Sequence, residues 1–183
     1  MIDMNGKVVA VHRSPIHKFS KDRVESINLI QGEGVEGDAH CGKLMKHRSR
    51  TKQVPIPPNL RQVHLIHSEL FDELEEKGFK VLPGQIGENI TTQGIDLLGL
   101  PKGTKMRIGK DAVIKITGLR NPCNQLNEFQ EGLLSAVLDK DEEGKLIRKS
   151  GIMGVVLVAG QIKDGDNIYV DLPDEPYIAL ERV

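Results

Sequence analysis

The chain has 183 residues, a length that predicts one domain able to bury about 70% of its unfolded surface. Charged residues make up 28% and the formal net charge is −1, so no overall field draws the chain towards nucleic acid or an anionic membrane. The first residues lack the pattern of a secretory signal, and the longest apolar run, "GIMGVVLVAG", is far shorter than the roughly 18 residues of a spanning helix. We therefore expect a single cytoplasmic domain over residues 1–183, with neither nucleic acid nor membrane as a partner.

Short runs of β-forming residues, most of them bounded by Gly, Pro, Asn or Asp, dominate the chain and predict strands. In chain order these runs are "KVVAVH", "VESINLI", "RQVHLIH", "ENITT", "TKMRIG", "DAVIKITG", "IMGVVLVAG" and "NIYVDL". No internal repeat and no linker-like change of composition divides them. The pattern predicts a β-rich fold, either a barrel or a sandwich.

Two helices are predicted between the strands. In "SELFDELEEKGF", Ser68 is placed to cap the start of a helix and Gly78 to close its end. In "NEFQEGLLSAVLDKDEEG", Asn127 and Gln130 have the spacing of a capping box, and apolar residues recur at the helical period. The apolar stripes of both segments indicate contacts with the core.

The stretch "GEGVEG", residues 32–37, fits the dinucleotide-binding pattern of glycines, but neither a helix nor a suitably spaced acid follows it. We reject nucleotide binding through this motif and expect a tight turn or a close backbone approach there. Asp38 and His40 follow directly. In extended chain they would project from one face, where the carboxylate could fix the imidazole tautomer or receive a proton. A turn Asp beside a surface His is the alternative.

A second polar segment is "PGQIGENITT", where Glu88 and Asn89 lie between a glycine-rich turn and a predicted strand. These two residues either cap the turn or form part of a site. His64 and His67, three apart in "VHLIH", fall on opposite faces of a strand and are poor joint metal ligands.

The segment "CGKLMKHRSRTKQVPIPPNLRQ" is basic, contains no acid and is rich in proline. It predicts a loop that is either simply solvated or clamps an anion. In the second case, arginine side chains would bind a phosphate through paired N–H donors.

Cys123 follows a predicted strand and lies after Arg120 and Pro122, a few residues before the second predicted helix. Cationic neighbours and a helix amino end favour a thiolate, which is a nucleophile and a ligand for soft metals. Cys41 lies in the basic segment and lacks this placement. Both cysteines are expected to be reduced. A zinc site that includes Cys123 lacks the paired spacing of structural zinc ligands, and an inert buried thiol remains the alternative.

The succession of "GEGVEGDAH", "RQVHLIHSELFDEL", "PGQIGENITTQGIDLLGLPKGTKMRIG", "TGLRNPCNQL" and "GIMGVVLVAG" closely resembles the stand-alone MOSC domain proteins. The likeness runs from about Gly6 to Val170. It implies an α+β, β-rich fold with a β-barrel-like core and a few peripheral helices. It also implies a site for the molybdenum cofactor, a pterin dithiolene that carries a phosphate, and it brings a family-level label of pyridoxal phosphate binding.

The resemblance assigns roles to particular positions. The cysteine of the R-x-P-C element corresponds to Cys123, and implies either a molybdenum ligand or a sulfur carrier. The other catalytic positions are Asp38, His40, Glu88 and Asn89. The cofactor-binding positions are Gly87, Arg120 and Asn121, with Lys46, Arg48 and Arg50 placed to bind the phosphate.

Three functions follow from this resemblance. The first is an oxidoreductase that reduces N-hydroxylated or other N-oxygenated small molecules, with electrons from a separate donor protein. In it, Asp38 or Glu88 relays protons, and His40 or Asn89 orients the substrate. The second is a carrier that takes persulfide sulfur from a cysteine desulfurase onto Cys123. The third is a non-catalytic module that binds and hands over the molybdenum cofactor.

Overall fold

The computed structural model describes residues 5–45 and 55–183. The strands are β1 Asn5–Arg13, β2 Asp22–Val24, β3 Ser26–Ile30, β4 Gly34–Val35, β5 Val63–His67, β6 Ile90–Gln93, β7 Lys105–Ile108, β8 Ala112–Leu119, β9 Leu138–Lys140, β10 Leu146–Arg148, β11 Ile152–Val158, β12 Gly160–Lys163 and β13 Asn167–Asp171. The helices are α1 Glu69–Glu76, α2 Gln125–Phe129 and α3 Leu133–Ala136. None of these helices in the described part of the chain is long and apolar enough to cross a membrane.

A mixed barrel forms the centre of the fold. Its strands follow the order β13, β7, β8, β11, β5, β6 and β1, and β1 closes the barrel by pairing with β13. All neighbours are antiparallel except β5 and β6. Strand β2 pairs with the last three residues of β1. Strands β12, β3 and β4 form a separate small sheet, and β9 pairs with β10. The β-rich α+β fold with a barrel core, expected from the sequence, is confirmed.

The barrel interior is apolar because its strands alternate. In β8, Ala112, Ile114 and Ile116 are buried, whereas the intervening side chains are half-buried or exposed. A second apolar cluster includes Leu70 and Leu74 of α1 together with residues near α2 and α3. The helices therefore cover one side of the barrel with a core of their own.

Every predicted run of β-formers contains a strand, and the first predicted helix is confirmed as α1. Ser68 has helical backbone angles and makes no capping bond, so its predicted role is wrong. The second helix is interrupted, since Gln130 is extended and Gly132 has a φ of +86°. Asn127 accepts a bond from the Leu134 amide at 3.0 Å and so joins the two short helices. Residues 138–144, predicted as the end of this helix, belong instead to the β9–β10 hairpin of residues 138–148.

The glycines of residues 32–37 produce the predicted close approach. Gly34 has a φ of +123°, and a Cβ atom there would lie 2.6 Å from the carbonyl oxygen of Gln62. Gly37 has a φ of +78°, and a Cβ atom there would lie 2.9 Å from Nη1 of Arg13. The chain thus turns tightly just before Asp38, and this turn places Asp38 beside the end of β1.

Candidate functional site

A cavity of about 590 Å³ lies beside Cys123. Its walls come from the loop after β1, from residues near His40, from the start of β5, from the turn before β6 and from the segment after β8. This volume lies within the range of small-molecule and cofactor sites. The cavity is therefore the place where the chemistry of the candidate residues must be judged.

Cys123 contributes a half-buried free thiol to this cavity. Its Sγ lies 3.4 Å from Oε1 of Gln125, and its carbonyl oxygen accepts a bond from the Leu126 amide at 3.1 Å. Cys123 thus stands between the end of β8 and the start of α2, as the sequence predicts. The thiol is held by a rigid strand on one side and a short helix on the other.

Arg120 is the basic neighbour of this thiol. Its Nη1 atom is buried and has no hydrogen-bond partner within the described residues, and its guanidinium lies 5.9 Å from the centre of the Phe19 ring. Burial lowers the pKa of Arg120, while Cys123 and Glu88 oppose that change. The group still remains a cation near neutral pH. An unsatisfied cationic N–H in a cavity is suited to bind an anion.

Lys21 and Asp38 form a buried ion pair at the cavity. Lys21 Nζ lies 2.8 Å and 2.9 Å from the two carboxylate oxygens, and the side chains are 6% and 3% exposed. Burial lowers the pKa of Lys21, against the opposing charge of Asp38. For Asp38, burial would raise the pKa, but the ion pair and hydrogen bonds from two amides lower it overall. Asp38 is thus ionised, and Lys21 brings a positive charge to the cavity wall.

Asp38 and His40 are joined by a bond to the His40 backbone amide, and not by the predicted pairing of their side chains. The chain at these residues is a turn and not extended, so the prediction of two side chains on one face of a strand is wrong. Asp38 instead accepts bonds from the backbone amides of His40, at 3.0 Å, and of Ser14, at 3.1 Å. The His40 ring lines the cavity and packs edge-on against His17, with 4.9 Å between ring centres.

Glu88 is completely buried behind the cavity wall. Its Oε1 accepts bonds from the Gly84 amide and from Thr91 Oγ1, while its Oε2 has no partner within the described residues. Burial raises the pKa of Glu88 to about 7, although these hydrogen bonds favour the ionised form. Glu88 therefore holds a proton more readily than an exposed glutamate does.

Asn89 lines the cavity and also ties three segments together. Its Oδ1 accepts a bond from the His64 amide at 3.1 Å. Its Nδ2 donates to the His12 carbonyl oxygen at 3.2 Å and to Asp38 Oδ2 at 3.3 Å. Asn89 therefore fixes the ends of β1 and β5 relative to Asp38.

The candidate residues from the sequence fall into three groups. Those lining the cavity are His40, Gly87, Asn89, Arg120, Asn121 and Cys123. Asp38 and Glu88 are buried behind its wall. The phosphate-binding candidates Lys46, Arg48 and Arg50 lie outside the described residues. Across the described ranges, no group of three His, Cys, Asp or Glu side chains is arranged to hold a metal ion.

Sequence reasoning missed Lys21, Arg61 and His64 as cavity residues. His64 Nε2 lies 2.8 Å from the Ser150 carbonyl oxygen, and burial lowers the pKa of His64 well below its usual value, so its ring is neutral. The only signal in the sequence was a histidine within the apolar run "VHLIH". Lys21 belongs to no motif, and tertiary contacts alone bring it to the cavity. Arg61 lies at the end of the basic segment that could clamp an anion, but it was not singled out there.

Comparison with known proteins gives the family. The model of the MOSC domain matches residues 7–169. The structure of the YUAD protein from Bacillus subtilis matches with a TM-score of 0.75 at 23% identity, over 93% of this chain and 98% of that one. YiiM from Geobacillus stearothermophilus matches with a TM-score of 0.62 at 20% identity, over 95% and 77% of the two chains. YiiM from Escherichia coli matches with a TM-score of 0.64 at 18% identity, over 96% of this chain and 73% of that one.

No curated protein matches the chain in sequence. At these low identities the three structures establish a shared fold alone. The family model, in contrast, spans most of the chain and includes the segments that form the cavity. The chain therefore belongs to the MOSC domain family, which is associated with binding of the molybdenum cofactor.

Proposed function

We propose that the chain binds the molybdenum cofactor in the Cys123 cavity and reduces small N-oxygenated molecules there. One observation carries this proposal: a free thiol and a buried guanidinium N–H without a partner line the same cavity of about 590 Å³. A thiolate is a soft ligand suited to such a metal, and a cationic donor is suited to the cofactor's anionic groups.

The charges of the cavity fit a ligand that carries a phosphate. The lining cations are Lys18, Lys21, Arg61 and Arg120, and Glu128 is the one lining acid among the described residues. Satisfying the Nη1 atom of Arg120 with an anion would remove the cost of a buried unpaired donor. The contribution of Lys46, Arg48 and Arg50 to the same phosphate stays a prediction.

When bound, the cofactor would supply a metal centre that accepts an oxygen atom from the substrate and receives electrons from a separate donor protein. Cys123 Sγ would hold that centre in place. His40 and Asn89 line the cavity and would orient the substrate, and the neutral His64 ring would offer no charge to it. The scarcity of aromatic side chains, 3% of the chain, favours small polar substrates.

The two buried carboxylates are suited to different tasks. Asp38 has a lowered pKa and five hydrogen-bond contacts, so it is suited to hold Lys21 and the His40 turn in position. Glu88 has a pKa of about 7 and would hold the proton that is exchanged near neutral pH. Its side chain does not line the cavity, so its proton would have to cross the wall formed by residues 87–89.

A dye-coupled assay tests this proposal. Protein from a host that makes the cofactor is given reduced dye and an N-hydroxylated substrate, and formation of the amine is measured. We expect turnover by the wild type and by Cys41→Ser, and none by Cys123→Ser. Turnover by cofactor-free protein would refute the proposal. Cofactor binding without turnover of any such substrate would favour the non-catalytic handover module.

The partial exposure of Cys123 also supports a second function, that of a sulfur carrier. A thiol that is reached from solvent can accept a persulfide sulfur from a cysteine desulfurase without any metal. Incubation with a desulfurase and cysteine should then add the mass of one sulfur atom to the Cys123 peptide. If Cys123 never gains this mass, the carrier function is wrong.

A further inference from the structure

Residues 178–183, which we call the strap, run beside the end of β8. Leu119 donates its amide to the Glu181 carbonyl oxygen at 2.7 Å and accepts a bond from the Val183 amide at 3.1 Å. Farther along, the Lys102 amide donates to the Ile178 carbonyl oxygen at 2.8 Å, and Leu180 packs against the barrel core. The strap lies beyond residues 7–169, which the family model matches.

Gly118 makes room for the strap. A Cβ atom at this position would lie 2.5 Å from the Glu181 carbonyl oxygen and 2.8 Å from Val183 Cβ. The next residue, Leu119, bonds to the strap through both its amide and its carbonyl oxygen. Arg120 follows directly, and Cys123 lies three positions beyond it. The strap therefore braces the end of β8 at the point where the chain enters the cavity wall.

The strap also bonds to a side chain that lines the cavity. Arg61 Nε donates to the Val183 carbonyl oxygen at 2.6 Å, and the half-buried Arg61 side chain lines the cavity together with Cys123. A long arginine side chain loses rotamer freedom when its guanidinium is fixed in this way. The bond to Val183 thus holds the Arg61 guanidinium at the cavity wall.

We propose that Arg61 is an anion-binding residue of the Cys123 cavity and that the strap positions it. The proposal rests on the proposed function only in that the cavity receives an anionic ligand. Arg61 and Arg120 would then both attract the ligand. The strap holds Arg61 directly, and it braces the strand that leads to Arg120. In this chain, residues outside the family match would set the affinity of the site for anions.

The alkylation of Cys123 by two reagents of similar size tests this proposal. Iodoacetate is an anion and iodoacetamide is neutral, so the ratio of their rates at Cys123 reports the positive potential in the cavity. Changes in exposure or ionisation of the thiol affect both rates and cancel in the ratio. The rates are measured by mass spectrometry of the Cys123 peptide, with protein from a host that does not make the cofactor.

We expect Arg61→Met to lower the ratio by about threefold or more at low salt, and this difference to shrink in about 1 M salt. Gly118→Ala, which displaces the strap, should have the same effect. Removal of residues 181–183 is a second way to release Arg61 and adds no atom to β8. Arg107→Met is the matched control, because Arg107 pairs with Asp171 and lies outside the cavity.

An unchanged ratio in Arg61→Met would overturn the anion-binding role. A lowered ratio in Arg61→Met with wild-type ratios in both strap variants would overturn the positioning role of the strap. Failure to bind molybdenum leaves this experiment unaffected, because it uses no cofactor and measures no turnover. The two proposals can therefore fail separately.

Discussion

Lys21 Nζ lies within 2.9 Å of both carboxylate oxygens of Asp38, and the pair is buried where the loop after β1 meets the turn before His40. The two residues are 17 positions apart in the chain. Asp38 also accepts bonds from the amides of Ser14 and His40 and from the Asn89 side chain. This pair therefore joins three segments around the cavity: the loop after β1, the turn before His40 and the residues just before β6.

Breaking the pair from its two sides should have unequal costs. Asp38→Asn leaves the Lys21 charge buried without a counter-ion, and should lower the free energy of unfolding by about 3–5 kcal/mol. Lys21→Met leaves Asp38 with its other N–H donors, and should cost about 1–3 kcal/mol. Urea unfolding of both variants and of the double variant measures these values. Equal costs for the two single variants would contradict this account of the pair.

Glu88 should make the protein less stable as the pH rises. Burial raises the pKa of Glu88 from 4.5 to about 7, so the folded state keeps a proton that the unfolded state has released. The stability that this proton provides is complete below pH 4.5 and is lost as the pH rises through 7. The loss amounts to about 3 kcal/mol. Glu88→Gln should remove it, as measured by urea unfolding at several pH values.

His12 should make the protein more stable as the pH rises, which is the opposite of the effect of Glu88. Both ring nitrogens of His12 are buried without hydrogen-bond partners in the described part of the chain, and burial lowers its pKa from 6.5 to about 4. Its contribution to stability is present above pH 6.5 and is lost as the pH falls through 4. His12→Leu should remove this loss at low pH.

Comparing the Glu88 and His12 variants gives a sharper test of both pKa shifts. Between pH 4.5 and 6.5 the effect of Glu88 opposes that of His12, whereas His64 and His67, whose pKa values burial also lowers, act in the same direction as His12. Relative to the wild type, the stability of Glu88→Gln should therefore rise more steeply with pH, and that of His12→Leu should rise less steeply or fall. Parallel profiles for the two variants would mean that at least one of the assigned pKa shifts is wrong.

Arg120 should favour binding at the expense of stability. Its Nη1 atom is buried without a partner in the described residues, which costs free energy in the protein without ligand. Arg120→Met should raise the free energy of unfolding of the cofactor-free protein by about 1–3 kcal/mol. The same variant should retain less molybdenum when it is made with the cofactor. Arg107→Met, at a surface ion pair, should change neither quantity. A less stable Arg120→Met protein would contradict the absence of a partner for Nη1.

Local patterns in the sequence predict those structural features that are set by residues close together in the chain. The alternation of β8 and the position of Cys123 between a strand and a helix are examples, and both agree with the structure. The prediction of one continuous second helix was wrong because Gly132 adopts a positive φ, and the spacing of apolar residues does not reveal this conformation. The preference of serine for helix caps likewise gave a wrong prediction for Ser68. Its amide instead donates to the Thr92 carbonyl oxygen at 2.7 Å.

Contacts between distant parts of the chain could not be predicted in this way. Lys21 reaches Asp38 only because the loop after β1 folds against the turn that follows β4. Arg61 and Val183 are separated by 122 positions, and nothing in either segment marks the bond between them. The sequence therefore identified the thiol of the site but missed Lys21 and Arg61, two of the positive charges around it.

The molybdenum content of purified protein tests the central claim most directly. Wild type, Cys123→Ser and Cys41→Ser are expressed in a host that makes the cofactor, and the metal is measured by mass spectrometry beside the protein concentration. A cofactor held by Cys123 predicts nearly one molybdenum per chain in the wild type and in Cys41→Ser, and a large loss in Cys123→Ser. Equal molybdenum in all three proteins would contradict the role of Cys123 as the ligand, and molybdenum in none of them would contradict the account of the cavity as a cofactor site.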